Sequence, residues 1–352
     1  MSDKGKVYIV GTSMVTAIGA TTGATTALVN AGISGIKETA FLNKKLNPIK
    51  MALVPEDVLP DVNPTIAKST LSSRQLRLLR LAAAALTQLA PTLAAHEPLP
   101  LFLALPEDLP EHTTPLTGDF LAQLTLQSGI AFNAEDSCTA HIGRAGGLYA
   151  IDIVHRYFAK TGKDYALIGG VDSYFDPYLL AKLDAEDRLN VQGAVDGFFP
   201  GEGATFILLA SERVKEQLQT PLVSLSVPGL DNEVGHRYSD IVYKGDGLAR
   251  AVTSALNNAT PNKVDCVWTS MIYDSFCSKE IAVALTRNHS HLAEHVKMHH
   301  PVDCFGDMGA AMGCALLAMV AEGAAKNHKN KHHLLCCSSD LLHRAALRVD
   351  IS

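Results

Sequence analysis

Apolar and polar positions along the chain fall into blocks that alternate between strand and helix. Val7-Tyr-Ile-Val-Gly11 is a continuous apolar run of strand length, and a glycine-rich turn from Gly11 to Gly19 leads into a helix over Thr22–Ala31. The stretch Phe132–Asp172 organises the rest. It predicts a strand, a tight turn at Ala145-Gly-Gly147, a helix with Leu148, Ile151, Ile153 and Val154 inward, and a buried strand Tyr165–Ile168 ending in Gly169-Gly170. A helix that starts at such a turn presents unpaired N–H groups and favours a thiolate or other anion there.

Lys37–Pro64, broken by Pro48, Pro55, Pro60 and Pro64, reads as surface loop with one strand at Lys50–Val54. Ser72 or Ser73 caps a helix running from Arg74 to about Ala90, where Pro91 stops it. Arg74, Arg77 and Arg80 follow helical spacing and predict a solvated or interface face. Leu101–Leu105 is a strand, Pro106–Pro115 an acidic loop and Leu116–Gln127 a helix. Further on come a helix and turn over Tyr174–Leu183, a strand at Thr205–Ala210 and a charged helix at Glu212–Gln219. After a Thr-Pro linker follow a strand at Pro221–Val227, a helix from Gly245 to Leu256 and a strand at Val264–Thr269. Strand, helix and strand thus recur in two halves, 1–219 and 220–352.

With 352 residues, 47% hydrophobic and 19% charged, the chain fits a well-buried α/β protein and excludes a disordered one. The net charge of −6 gives no global basic field for nucleic acid or an anionic membrane. No apolar run reaches the length of a membrane span, and Leu81–Ala90 and Ala310–Val320 read as buried helices. The N-terminus lacks a signal-peptide pattern, and seven scattered cysteines suit reduced thiols, so a cytoplasmic protein is expected. The Gly11–Gly19 turn departs from the G-x-G-x-x-G dinucleotide spacing, so no cofactor is expected. His289, His291, His295, His299 and His300 lack a defined ligand pattern and read as surface loop, not metal site; Lys326–His333 reads as a basic solvated loop.

Several motifs together resemble the β-ketoacyl-ACP synthases of the thiolase-like superfamily. Gly32-Ile-Ser-Gly-Ile36 is similar to their "GxSGI" ending. Arg144-Ala-Gly-Gly147, a helix, then Asp164-Tyr-Ala-Leu-Ile-Gly-Gly170 resembles their nucleophile elbow, and Asp196-Gly-Phe-Phe-Pro-Gly-Glu-Gly-Ala204 their "DGFxxGEGA" run. The resemblance implies a thiolase-like α/β fold of two pseudo-duplicated halves in an α-β-α-β-α layering. Gly201, Glu202 and Gly203 would form a structural loop under the site, with Glu202 in buried hydrogen bonds. It also implies a homodimer, or a heterodimer with another thiolase-like subunit, pairing strands beside the elbow; Leu101–Leu105 and Ile130–Phe132 are the stretches expected to contribute.

Condensing chemistry needs a thiolate, two histidines and an oxyanion hole. The ungapped register places Arg144 where the family has its cysteine, and Cys138 lies six residues upstream. Thr269 and Ser270 stand where the first histidine is expected, and Gly306 or Asp307 where the second is. Leu334–Arg348 replaces the family's glycine-rich loop, with Leu341, Leu342 and His343 filling its space. The resemblance brings His141, Arg144, Asp307, Asp340 and His343 to one crevice, as a new acid–base site or a salt-bridged plug; the plug is expected. The function expected is that of a condensing-enzyme homologue without activity, acting as an adaptor, chaperone-like or partner-binding protein with a protein client or acyl carrier protein. The alternative is an active synthase or acyltransferase on acyl carrier protein or coenzyme A thioesters using Cys138, with His343.

Overall fold

The computed structural model describes residues 5–66, 71–111, 116–117, 119–191, 196–259, 261–271, 274–326 and 332–352. Residues 112–115 of the expected acidic loop, 272–273 after Met271, and 327–331 of the basic run lie outside the described residues.

The first half runs β1 (Val7–Thr16), α1 (Thr22–Asn30), the hairpin β2 (Lys37–Leu42) and β3 (Pro48–Met51), then α2 (Ser73–Leu86) and α3 (Ala90–Leu93). It continues with β4 (Leu101–Ala104), α4 (Phe120–Ser128), β5 (Cys138–Ala140), α5 (Gly146–Thr161), β6 (Tyr165–Ser173), α6 (Pro177–Ala185) and β7 (Glu202–Ser211). The second half begins with β8 (Val223–Leu225), β9 (Gly229–Asn232), α7 (Asp246–Asn257), β10 (Val264–Thr269) and α8 (Ser275–Arg287). It ends with β11 (Leu292–His299), α9 (Val302–Phe305), α10 (Met312–Lys326), β12 (His332–Ser338) and β13 (His343–Ile351).

The strands repeat one arrangement. The first half orders them β1-β7-β6-β4-β5, the second β8-β13-β12-β10-β11. In each, the first two junctions are antiparallel and the last two parallel. The halves meet where Val7 and Tyr8 of β1 pair with Leu225 and Ser224 of β8. α5 and α10 occupy matching places, each after the outermost strand of its half and behind a one-turn 3-10 helix, Gly143–Ala145 or Gly309–Ala311.

Side-chain alternation sets the layers, because successive strand residues face opposite sides. Leu167 and Val171 of β6, with Phe206 and Leu208 of β7, pack outward against α2 and α4. Ala166, Ile168, Ile207 and Leu209 pack inward on α5 and α10, which are joined from the other side by Leu335, Cys337, Ala345 and Leu347. Leu334, Cys336 and Ala346 face α7 and α8. The result is the thiolase-like α-β-α-β-α fold. Gly309–Lys326 is long and apolar enough to cross a membrane, yet 72% of the window that qualifies is buried between the sheets.

Local expectations differ in four places. Lys37–Pro64 holds the β2–β3 hairpin, with proline confined to its edge and flanks. The Ser72 side chain caps α2 through the Gln75 N–H, but α2 ends at Leu86 and Pro91 sits in the first turn of α3, where it needs no N–H partner. The strand expected at Pro221–Val227 is only Val223–Leu225. Leu101–Leu105 is enclosed, since β4 is paired by β6 and β5 and every residue of it is buried; the open edge is β5.

Candidate functional site

Two elbows meet end to end at the centre of the molecule, one before α5 and one before α10. Both begin with a left-handed glycine, Gly143 at φ 69° and Gly309 at φ 48°. A Cβ on Gly309 would lie 2.0 Å from Asp172 Oδ2, so only glycine lets that carboxylate in. Each elbow is capped from the opposite half. Ala145 N–H donates to Ser339 Oγ at 3.1 Å, and Ala310 N–H donates to Asp172 Oδ2 at 3.0 Å.

Arg144 stands in the first elbow, 3% exposed, at a helix N-terminus that disfavours a cation. Carboxylates offset that cost. Its Nε donates to Asp307 Oδ1 and Oδ2 at 3.1 and 3.0 Å, its Nη2 to Asp307 Oδ2 at 2.5 Å, and its Nη1 to Asp340 Oδ1 at 3.1 Å. Such a fork on a carboxylate is the strongest geometry arginine has. Tyr174 Oη donates to Asp307 Oδ2 at 2.7 Å, and the Gly309 N–H donates to Asp307 Oδ1 at 2.9 Å. Arg188 Nη2 reaches both oxygens of Asp340 at 2.9 Å, and Arg237 lies 3.6 Å from it and also pairs with Asp274. The arginines hold the Asp340 carboxyl far below the usual carboxylate range although burial opposes them. Beside them Arg74 pairs with Asp172 at 3.0 Å. Burial outweighs that pairing, so the Asp172 carboxyl is raised.

The cavity left between Arg74, Glu107, Arg144, Asp172, Tyr174 and Asp340 measures about 20 Å³. That is room for one water and no acyl chain. A guanidinium that cannot lose its proton is neither nucleophile nor base. The cluster is a buried, mutually paired set of arginines and carboxylates.

Of the five residues expected in the crevice, Arg144, Asp307 and Asp340 come together. His141 does not join them: its ring Nδ1 lies 3.1 Å from the Pro106 carbonyl on the outer side. His343 begins β13 and meets the Tyr149 ring edge-on at 5.3 Å. Leu342 points outward at 39% exposure instead of filling the pocket. Thr269 Oγ1 lies 2.9 Å from His300 Nδ1, Ser270 Oγ accepts the Ser338 N–H at 3.2 Å, and Gly306 ends α9 beside the Phe199 and Pro200 carbonyls. The histidine-rich stretch is no loop; it is a 3-10 turn and the edge strand β11, and no metal-binding group occurs among the described residues.

Cys138 lies exposed on β5, and burial of its thiol raises the pKa instead of lowering it. Cys314 packs against the first turn of α5, where a helix would activate a thiolate, but complete burial pushes its thiol far up. Burial raises Cys337 to about 12. No thiol in this group is activated.

Glu202 sits under the site with 0% exposure and accepts from Val54 N–H at 2.8 Å, Ser173 Oγ at 2.7 Å and Arg77 at 2.5 and 2.6 Å. Gly201 N–H donates to the Asp307 carbonyl at 2.8 Å, and Gly203 continues into β7 opposite Thr16. Two arginines of α2 consequently face inward, Arg74 holding Asp172 and Arg77 holding Glu202, whereas Arg80 with Arg77 holds the exposed Glu56. Helical spacing alone does not distinguish a wet arginine face from one turned onto buried carboxylates. Glu107, Tyr174, Arg188, Arg237 and Ser339 were not foreseen, because nothing local marks a charge whose partner is over 100 residues away.

No family model matches the sequence, and no curated protein matches it. Solved structures do. A chain of the ketosynthase ApeO–chain length factor ApeC complex from Xenorhabdus doucetiae superposes with a TM-score of 0.77 at 14% identity, covering 100% of this chain and 99% of its own. The ishigamide ketosynthase/chain length factor gives 0.74 at 16% identity, covering 99% of each. The AntDE:AntF complex, a ketosynthase with its acyl-carrier protein, gives 0.75 at 14% identity over 99% of this chain and 100% of that one. The likeness is one of fold, end to end: this chain has the architecture of those ketosynthase structures.

Proposed function

We propose that this protein is a non-catalytic ketosynthase homologue that works as a partner subunit beside another thiolase-like chain. The observation that carries the reading is Arg144. It takes the elbow position and is clamped there by Asp307 and Asp340, in a cavity too small for substrate. Ketosynthases paired with a chain length factor are among the structures this fold resembles, and this chain would fill one place in such a pair. The open edge of β5, with Cys138 and Thr139 exposed, is the surface on which a second subunit would continue the sheet. An acyl carrier protein would then serve the active partner.

The test has two arms. The purified chain is incubated with isotopically labelled malonyl and acyl thioesters and every cysteine is read by mass spectrometry. In parallel it is co-expressed with candidate ketosynthases, and complexes are weighed by native mass spectrometry. The expected result is unmodified cysteines and a stable one-to-one complex. An acylated Cys138 with release of labelled carbon dioxide would overturn the reading in favour of the active alternative.

A further inference from the structure

The sheet has two open ends, and their charges differ. Strand β5 ends it in the first half and β11 in the second. Because the halves repeat one arrangement, the block β10–α8–β11 is the counterpart of β4–α4–β5. The second-half block, Val264–His299, mixes its acids with Lys279, Arg287 and Lys297. The first-half block, Leu101–Ala140, holds Glu107, Asp108, Glu111, Asp119, Glu135 and Asp136 and no lysine or arginine; none occurs between Arg80 and Arg144. Nothing in the fold demands this, since its own repeat does without it.

Acids flank β5 at both ends. Glu135 and Asp136, both exposed, precede the strand, and Asp136 Oδ2 accepts from Asn133 Nδ2 at 2.9 Å. At the other end Asp108, its side chain 76% exposed, lies 3.7 Å from His141 Nδ1. Glu107 is the exception: it turns inward and accepts the Asp340 and Leu341 N–H groups at 2.9 and 3.0 Å. The helix α5, which packs on β4, adds one arginine, Arg156, already paired with Asp152, and one lysine, Lys160. Before the strand an apolar hollow of about 300 Å³ is lined by Leu93, Leu99, Ile130, Phe132 and Leu167, with Glu97 beside them. It offers a seat for an anchoring side chain from a partner.

Two copies joined at this edge by a two-fold axis would run β5 antiparallel to itself, because the same patch serves both sides. An axis through Thr139 sets Asp136 of one copy opposite Ile142 of the other, next to His141 and Asp108. Each end of the shared ladder would then press acid on acid. Like charges set against each other suppress a pairing, whereas opposite ones steer and select a partner.

We infer that β5 is a hetero-selective edge: it takes a strand from a chain whose facing edge is basic, and its acids keep two copies of this chain from pairing there. The inference rests on the partner-subunit reading and adds the partner's chemistry. That chain carries lysine or arginine at both ends of its edge strand and an apolar side chain placed for the Leu99–Phe132 hollow.

The variant Asp108→Lys/Glu135→Lys/Asp136→Lys, changed only at exposed positions, supplies such an edge on the same scaffold. Wild type, variant and a one-to-one mixture are compared by sedimentation equilibrium at about 50 mM and about 500 mM sodium chloride, between which the screening length shrinks about threefold. Wild type and variant should each stay monomeric at low salt. The mixture should form a one-to-one pair with a Kd at least about tenfold below that of either self-pair, and high salt should remove most of the difference. Amide exchange protection over residues 135–141 in the mixture locates the contact. Wild-type copies that pair at low salt with those residues protected overturn the inference, whether or not the variant folds. So does a mixture no tighter than wild type alone at low salt, with the variant folded by circular dichroism. Neither result touches the non-catalytic reading, which falls with an acylated Cys138.

Discussion

Replacing Arg144 by methionine tests the plug most directly. Methionine keeps much of the length and removes the charge. Asp340 would retain Arg188 and Arg237, whereas Asp307, 1% exposed, would keep only the Gly309 N–H and the Tyr174 hydroxyl among the described residues. The stranded charge is thus Asp307. Breaking a buried pair in this way costs about 3–5 kcal/mol, a large share of the roughly 5–15 kcal/mol that holds a folded domain. With a urea m-value of about 3 kcal/mol per molar, the midpoint should fall by about 1–1.7 M. Circular dichroism during a urea titration measures this. The double variant Arg144→Met with Asp307→Asn should recover more than half the loss, because the stranded group is then neutral. A midpoint shift under about 0.2 M, or no recovery in the double variant, would refute the argument that these charges are a mutually dependent buried unit.

Other outcomes follow from the same geometry. Glu202→Ala strands Arg77 and two further donors, the Val54 N–H and the Ser173 hydroxyl, and should cost about 3 kcal/mol or more by urea titration. Gly309→Ala, with its Cβ 2.0 Å from Asp172 Oδ2, should destabilise by at least about 2 kcal/mol, read as a lower melting temperature. Under native conditions a maleimide should label Cys138 first, with Cys314, Cys336 and Cys337 protected until unfolding; peptide mapping decides this. Thermal stability should respond to pH with two opposite signs. Asp340 is depressed in the fold, so its contribution is present above about pH 3.9 and lost as pH falls through and below that value. Glu107 is raised, so the folded state holds a proton the unfolded chain has released. Stability then declines as pH rises from about 4.3 to about 8, by at most about 1.4 kcal/mol per unit. Glu107→Gln should flatten that decline.

The sheet and its layers were legible because they rest on short-range patterns. Val7–Gly11, Tyr165–Ile168 and Val264–Thr269 are apolar runs of strand length, and the Gly-Gly turns before α5 show where backbones pass closely. Glu202 was legible through its glycine flanks. Arg144 was legible as an intruder, since the motif around it expects another residue type. The ionic cluster was legible in part, since Arg144, Asp307 and Asp340 were expected to meet. Arg188 and Glu107 look like ordinary loop charges, and only the closure of the two halves brings them to Asp340. His141 and His343 show the opposite error: being near a site in sequence says nothing about which side of a strand or turn a ring occupies. The α2 arginines were misplaced for a related reason, as their partners Asp172 and Glu202 arrive from β6 and β7.

The reciprocal capping of the two elbows has a consequence for how such a protein changes over time. Ser339 fastens one turn and Asp172 the other, through main-chain amides that every amino acid but proline carries. The curvature of each turn is therefore maintained by the opposite repeat and not by whatever side chain it displays. The side chain displayed at such a turn can change while the surface around it is kept. Position 144 itself is less free: an uncharged side chain there would arrive beside two carboxylates, Asp307 and Asp340, that have lost their shared counterion.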